Sequence, residues 1–441
     1  MSENKNKVFG IYLFSCFLIA AFICFAQIIS SSLLIMAGML LFVTLSAVAA
    51  FHGFAIPVLL FFLPWSTIIK MAPGGISFYT IALLVVCAIA FFRQGFKFNV
   101  RCMLVGLLIT FVSLLSKLMD GSSIALSYLM FIFLLMLLPN TTQEIGKFSD
   151  FKTLTLFFSF GIITAALSAQ QLADIPTIAK YIDVYNYNIL TRLSGYYGDA
   201  NFYSAHISAA IAGVLMLILC EKNKRSSFLL MILSVVLLYC GFMSASKAFA
   251  ITMMLVFVLW FIAVFSLKGR QSFKAYIIFI AIVTIIFVFT SGIFKEFIDM
   301  IAFRFGQSNN AYEFTTGRTE RWADYIKVIL SDAKILLVGK GFNNINLNDM
   351  GSHNTLLQII YQFGLIGGIA LYAWLVAFVK LILKNKKRAV PVCFTLVILI
   401  GAFLPWLSID LLFFDEFFLM PIYICAGILY FSKNQLILGE D

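Results

Sequence analysis

Apolar runs of about twenty residues recur along nearly the whole chain, and short polar connections separate them. A helix that crosses a bilayer needs roughly 20 mostly apolar residues, so the pattern predicts about fourteen membrane spans. They cover residues 8–29, 32–51, 53–69, 78–92, 100–118, 122–138, 151–171, 202–220, 228–244, 248–267, 275–294, 365–383, 390–407 and 417–431. The expected fold is one all-α polytopic membrane domain over residues 1–441, with 12–14 transmembrane helices.

The composition favours the same class of protein. Of the 441 residues, 62% are hydrophobic and 12% are charged, whereas soluble domains have roughly 45–50% apolar and about 25% charged residues. The first apolar run is too long for the core of a cleaved signal peptide, so we expect it to be a retained helix. None of the eight cysteines forms a C-x-x-C pair, and neither disulfides nor zinc ligation is expected.

The formal charge of +11 would suit a nucleic-acid partner, but its distribution argues against one. If the N-terminus is cytoplasmic and the spans alternate, most of the 31 basic residues fall in short inner segments. The short outer connections are then nearly free of positive charge, which is the positive-inside pattern. The sequence therefore predicts a multi-pass membrane protein with both termini in the cytoplasm and no nucleic-acid partner.

Two outer connections are long, at about residues 172–201 and 295–364. Loops of this length in a compact protein are usually functional or disordered. Both mix aromatic, basic and acidic residues with glycines and have no low-complexity tract. We therefore expect an ordered site on the outer face, built on loops that contain short helices.

The first long loop contains Arg192, Tyr197 and Asp199. Tyrosines at this depth are typical of the interfacial aromatic belt, and near a polar site they also stack on sugars. The planar guanidinium of Arg192 suits a phosphate or pyrophosphate, and a solvated loop arginine is the alternative interpretation.

The second long loop contains Arg318, Thr319 and Arg321, followed by apolar residues at helical spacing. Thr319 is the expected N-cap of this helix. Arg318 would then stand just before a helix N-terminus, where free backbone N–H groups favour an anion. This combination predicts a pyrophosphate site.

Further along, Ser352 is expected to cap a short helix that begins at His353. A helix N-terminus disfavours the charged form of a histidine, and a neutral imidazole can act as a general base. A structural histidine is the alternative. Lys247, at an outer helix boundary, either binds phosphate or extends its ammonium to the membrane surface.

Taken together, these residues resemble the superfamily of O-antigen ligases and O-antigen polymerases over residues 190–385. The strongest similarity is His353-Asn354 followed, after nine residues, by Gly364-x-x-Gly367. The stretch from Thr316-Gly317-Arg318 to Gly339-x-Gly341 is similar to a second family pattern. Two departures are Ala200, where a proline is common, and Lys247, where the family often has arginine.

The resemblance implies a GT-C-like fold and an inverting glycosyl transfer on the outer face of the bacterial cytoplasmic membrane, without a metal or other cofactor. It implies an undecaprenyl-diphosphate-linked glycan as donor and a lipid-linked or lipid A-core acceptor, with a chain-length regulator and a flippase as further partners. The catalytic residues would be Arg192 and Arg318, on the diphosphate, and His353, as the base. The expected substrate-binding residues are Tyr197, Asp199, Lys247, Arg321 and Asn354.

Three functions remain as alternatives at this point. A polymerase adds the growing glycan to another lipid-linked repeat unit, for an O-antigen or a capsule. This is the preferred interpretation of the sequence. A ligase transfers the glycan to lipid A-core or another final acceptor. A lipid-linked oligosaccharide flippase would instead place charged residues at mid-membrane depth.

Overall fold

Long apolar helices account for most of the chain in the computed structural model. It describes residues 3–433, with gaps at 71–76, 96–97, 121–125, 149, 183, 188–189, 198, 222, 267–270, 293, 307–314, 316, 343–345, 349, 385–389 and 411–414. For residues 184–193 only the backbone is described.

Eighteen α-helices and one short hairpin follow each other along the described residues. The first seven helices are α1 (Glu3–Ile29), α2 (Ser32–His52), α3 (Ala55–Phe62), α4 (Phe78–Arg93), α5 (Val100–Asp120), α6 (Leu126–Phe148) and α7 (Phe151–Gln171). Then come α8 (Pro176–Ala179), β1 (Val184–Tyr187), β2 (Leu190–Leu193), α9 (Ala200–Cys220), α10 (Lys224–Phe242), α11 (Lys247–Ser266), α12 (Gln271–Thr290) and α13 (Lys295–Gly306). The last five are α14 (Arg318–Ser331), α15 (Ala333–Val338), α16 (Thr355–Leu383), α17 (Val392–Phe403) and α18 (Glu416–Lys433).

Nine of the described helices are long and apolar enough to cross a membrane, and five further apolar helices are shorter. Each of them overlaps one of the predicted spans. The protein is therefore a multi-pass membrane protein with a helical fold, as predicted. The antiparallel pair of β1 and β2, in which Tyr185 lies opposite Arg192, was not predicted.

Helix α9 lies at the centre of the bundle, with 94% of its span buried inside the protein. It packs against α7, α10, α11 and α17. Small residues allow these close approaches, since a Cβ atom on Gly401 of α17 would lie 2.4 Å from Cβ of Ala212. A Cβ atom on Gly213 would lie 1.8 Å from the hydroxyl of Tyr423 on α18. Helices in membranes associate largely through such packing of small residues.

The two ends of the bundle carry different contacts. At one end, Lys152 pairs with Glu221 at 2.8 Å, and the Tyr276 hydroxyl donates to the backbone oxygen of Lys224. At the other end, Ser246 Oγ donates to Asn201 Oδ1 at 2.8 Å, which ties the turn between α10 and α11 to the start of α9. The second end also holds the residues that the sequence singled out.

Candidate functional site

The loop that precedes α16 is held by a single carboxylate, that of Asp410. Its Oδ1 accepts from Ser352 Oγ at 2.6 Å and from the Asn354 backbone N–H at 2.9 Å. Its Oδ2 accepts from the His353 backbone N–H at 2.9 Å. Next to it, Thr355 Oγ1 donates to the Ile409 backbone oxygen at 2.6 Å. Hydrogen bonds to an ionised acceptor are about twice as strong as neutral ones, so Asp410 fixes the backbone on which His353 stands.

His353 adopts a left-handed backbone conformation with φ +49°. Residues with a Cβ atom rarely adopt this conformation, and it persists where the surroundings impose it. Burial lowers the pKa of His353. Arg318 and Arg321 lower it further, while Asp410 and Asp199 act in the opposite direction. The half-buried imidazole therefore lies within the electrostatic reach of two arginines and two carboxylates, and its neutral form is favoured.

Helix α14 carries the two arginines and docks on the same loop. Trp322 Nε1 donates to the Ser352 backbone oxygen at 3.0 Å, and the Tyr325 hydroxyl donates to the Met350 backbone oxygen at 2.8 Å. One nitrogen of Arg321 lies 3.5 Å from the Gly351 backbone oxygen. Arg318 is the first residue of α14, one turn before Arg321 on the helix. These contacts attach the start of α14 to the His353 loop.

Two glycines allow α15 to lie directly against a kink in α16. Gly364 has φ +64°, and a Cβ atom there would lie 2.3 Å from the backbone of Leu337. Gly339 has φ +81°, and its Cβ atom would lie 2.4 Å from the backbone of Gln362. The break in α16 frees the Tyr361 and Gln362 carbonyls, which accept from the backbone N–H groups of residues 340 and 341 at 2.8 and 2.9 Å. This packing explains the positions of the two glycine patterns in the sequence.

Asp199 is the N-cap of α9, where Oδ1 accepts from the Asn201 backbone N–H at 2.6 Å. The same carboxylate influences the pKa of His353, so the start of α9 also borders the site. Lys247, at the start of α11, places its ammonium 5.6 Å from the ring centre of Phe305. Because Ser246, the preceding residue, bonds to Asn201, Lys247 lies near the start of α9.

Arg192 lies on strand β2, and its side chain is outside the described residues. Its assignment to the diphosphate stays a prediction. The side chain of Tyr197 is 7% exposed, and its hydroxyl is directed into the bundle. The structure thus brings His353, Arg318, Arg321 and Asp199 together.

Both predicted helix starts are wrong by two residues. Gly317, not Thr319, is the N-cap of α14, and Arg318 is inside the helix. Asn354, not Ser352, is the N-cap of α16, since its Oδ1 accepts from the Leu356 and Leu357 N–H groups. Ser352 instead bonds to Asp410, which anchors the loop. The side chain of Asn354, expected to bind substrate, is therefore already used as a cap.

Asp410 and two buried acidic residues near the start of α18, Asp415 and Glu416, were not predicted as functional residues. Glu416 Oε1 lies 2.9 Å from Nε2 of His206, at 1% and 3% side-chain exposure. Beside it, burial and the neighbouring Glu416 raise the pKa of Asp415 to about 7, with Thr80 and Lys70 opposing the rise. All three acidic residues fall in the short connection between the last two spans, and no motif marks them. The only signal was that this outer connection is acidic.

Among the described residues, no group of three or more His, Cys, Asp or Glu side chains is arranged to hold a metal ion. A scan against protein-family models and a search of curated proteins found nothing that matches this chain.

Proposed function

We propose that this protein transfers glycans from an undecaprenyl diphosphate carrier, as a polymerase of lipid-linked repeat units on the outer face of the bacterial cytoplasmic membrane. The observation that carries the proposal is the convergence of Arg318, Arg321 and Asp199 on the half-buried imidazole of His353. An acceptor hydroxyl needs a base, and a departing diphosphate needs cations. This cluster offers both at one end of an apolar bundle.

In the proposed reaction, His353 takes the proton from the acceptor hydroxyl as its oxygen attacks the anomeric carbon. The bond between that carbon and the diphosphate oxygen breaks, which inverts the configuration. Negative charge develops on the departing lipid diphosphate, and Arg318, together with Arg192, stabilises it. Fixed charges in a partly dehydrated site stabilise such a transition state more strongly than water does.

An apolar cavity of about 520 Å³ between α10, α11, α12 and α13 supports a lipid-linked donor. Met231, Phe249, Met253 and Trp260 are among the residues that line it. One end of the cavity is lined by Phe249 and Ala250, close to Lys247 at the start of α11. This is the end of the bundle that holds the site. An amphiphile with an anionic head and an apolar chain fits this combination.

One observation favours a flippase as the second candidate. Glu416 and His206 are ionisable and buried in the bundle, which is typical of transport pathways. However, Glu416 is the first residue of α18 and His206 is in the second turn of α9. The pair thus lies near the site end of both helices rather than at mid-depth.

The test is an assay of the purified protein in lipid nanodiscs with a lipid-diphosphate-linked repeat unit. Wild type alone should lengthen the glycan on its lipid, and His353→Ala, Arg318→Ala and Arg192→Ala should each abolish the product. Lys327→Gln, on the exposed face of α14, is the matched control and should retain activity. Product that forms only after lipid A-core is added would make the protein a ligase. Full activity in the three alanine variants would reject the site.

A further inference from the structure

Tyr197 is the centre of a buried hydrogen-bonded group that joins four parts of the chain. Its hydroxyl lies 2.5 Å from Glu416 Oε1, 2.9 Å from the Leu63 backbone oxygen and 3.2 Å from Ser66 Oγ. His206 Nε2 is 3.5 Å from the same hydroxyl and 2.9 Å from Glu416 Oε1. We call Tyr197, Glu416, His206, Ser66 and Leu63 the Tyr197 cluster.

Loss of any contact in the Tyr197 cluster is costly because its ionisable groups are buried. Glu416 and His206 are both almost completely buried. A carboxylate so deeply buried is tolerated only with partners that compensate for the lost hydration, and removal of one partner leaves the other buried and unpaired. Both partners of Glu416 converge on one oxygen, Oε1. The Tyr197 hydroxyl is therefore held at a defined position between α9, α18 and the 3₁₀ turn that follows α3.

The chain segment fixed by the cluster leads directly to the site. A turn closes where the Tyr197 N–H donates to the Ser194 backbone oxygen at 3.1 Å. Tyr196 holds the same turn from the other side, with its hydroxyl donating to Ser168 Oγ at 3.0 Å. Asp199 follows two residues after Tyr197 and caps α9. Strand β2, with Arg192, immediately precedes the turn.

We propose that Glu416 and His206 are positioning residues that hold Tyr197 and, through the turn at 194–197, hold Asp199 beside His353. They touch neither the donor nor the acceptor. The consequence for catalysis rests on the proposed function, whereas the consequence for the position of Asp199 does not.

The position of Asp199 can be measured without any substrate. The chain has three histidines, so protein labelled with ¹³C-histidine gives three ring signals, and His52→Gln and His353→Gln assign them. Besides burial, which lowers the pKa of His353, the charged groups that act on it are Asp410 and Asp199, which raise it, and Arg318 and Arg321, which lower it. Loss of the Asp199 charge should therefore move the titration midpoint of His353 to lower pH. Asp199→Asn sets the size of that shift, because asparagine is also a good N-cap.

Tyr197→Phe and Glu416→Gln should lower the His353 midpoint in the direction of the Asp199→Asn value. The matched control is Tyr423→Phe on α18, which loses a buried hydroxyl that lies 3.1 Å from Thr155 Oγ1, away from the turn. It should leave the midpoint at the wild-type value. The proposal is wrong if Asp199→Asn lowers the midpoint and both cluster variants do not, or if Asp199→Asn itself has no effect.

In the glycan assay, a positioning role predicts a fall in kcat with little change in KM. Asp199 raises the pKa of His353 and so stabilises the imidazolium that forms as His353 takes the proton. Misplacement of such a group by about 1 Å can reduce a rate by about a hundredfold, and we expect at least a tenfold fall in kcat for Tyr197→Phe. KM for the donor should stay within about twofold, because Arg318 is untouched. Unchanged kcat per folded molecule would overturn the catalytic part. An inactive wild type would count against the proposed function and leave the histidine titration as the test of position.

Discussion

At the scale of single residues, the environment of His353 governs the proposed chemistry. Burial lowers the pKa of its imidazole, and Arg318 and Arg321 on α14 lower it further. Asp410 and Asp199 act in the opposite direction. The side chain therefore has the neutral form that a general base needs.

The pH dependence of turnover follows from this environment. A base must be deprotonated, and the pKa of His353 is below its usual 6.5. Activity should therefore be level at neutral pH and fall only below pH 6.5 as the imidazole gains a proton. Arg321→Gln removes a group that lowers the pKa of His353, so the acidic fall in kcat/KM should begin at a higher pH. Lys327→Gln should reproduce the wild-type profile, and a shift to lower pH in Arg321→Gln would contradict the assignment.

The neutral state of His353 was expected from the sequence for a different physical reason, a helix N-terminus at His353 itself. In the structure the helix begins at Thr355, and the pKa of His353 is lowered first by burial, then by Arg318 and Arg321. The contacts between α14 and the loop join residues about 30 positions apart, and hydropathy carries no information about them.

Asp410→Asn should damage both the loop and the reaction. Three donors converge on two carboxylate oxygens, and asparagine replaces one oxygen by an amide group that is itself a donor. At least one donor then loses its acceptor, at a cost of about 1–3 kcal/mol. We expect a lower thermal unfolding midpoint in detergent and a large loss of turnover. Asp324→Asn, at an exposed position of α14, should change neither, and equal behaviour of the two variants would reject the anchoring role.

At the scale of elements, the pattern of apolar runs predicted the long helices well but did not predict their local geometry. The predicted span 365–383 begins where α16 is broken by Gly364. The preceding turns, from Thr355, continue the same helix outside that span. The β1–β2 hairpin was missed because its four-residue strands are too short to produce a clear alternation. Helix starts were displaced because several residues near each start can act as a cap, and only the hydrogen bonds decide among them.

The kink in α16 gives a direct steric prediction. Gly364→Ala places a methyl group 2.3 Å from the Leu337 backbone and also requires alanine to adopt φ +64°. Neither conflict is relieved by rotating a side chain, so we expect a destabilisation of about 3 kcal/mol or loss of folded protein. Gly10→Ala in α1 is the control, since its Cβ would meet nothing within 4 Å. Thermal unfolding in detergent compares them, and equal midpoints would contradict the described packing.

The cavity between α10, α11, α12 and α13 predicts where the lipid chain of the donor binds. Ala250→Phe fills part of the space. Burial of one methylene group of the lipid stabilises the bound donor by about 0.8 kcal/mol. Displacement of two methylene groups from the cavity should therefore raise KM for a long-chain donor by about tenfold. A donor with a short lipid chain should be unaffected. Val283→Phe, on a lipid-facing position of α12 outside the cavity, is the control. Equal KM values for both variants with the long-chain donor would remove the cavity from the binding site.

At the scale of the whole molecule, the sequence predicted that the polar candidates share one end of an apolar bundle. The structure brings His353, Arg318, Arg321 and Asp199 together at one end, opposite the Lys152–Glu221 pair. The residues that hold this arrangement were not predictable. Asp410 reaches a loop 57 residues earlier in the chain, and Glu416 reaches Tyr197 across 219 residues. These contacts depend on how segments distant in the chain pack together, which the hydropathy of any one segment does not determine.

The orientation of the bundle is the remaining prediction, and it decides whether the site meets its substrate. Positive charge concentrates in the short segments that include Arg225 at the start of α10, so this end should be cytoplasmic. Glu320, exposed on α14, should then be extracytoplasmic. In intact cells, a membrane-impermeant maleimide should label Glu320→Cys, and should label Arg225→Cys only after permeabilisation. Wild type provides the background of the eight native cysteines, six of which are buried.

The reverse labelling would place His353 and Arg318 in the cytoplasm. A polymerase that receives repeat units after their lipid carrier has been moved outward would then have no access to its donor. The outer-face location of the proposed chemistry depends on the positive-inside bias of the loops at the far end of the bundle. One labelling experiment therefore tests both the orientation of the bundle and the access of the site to its donor.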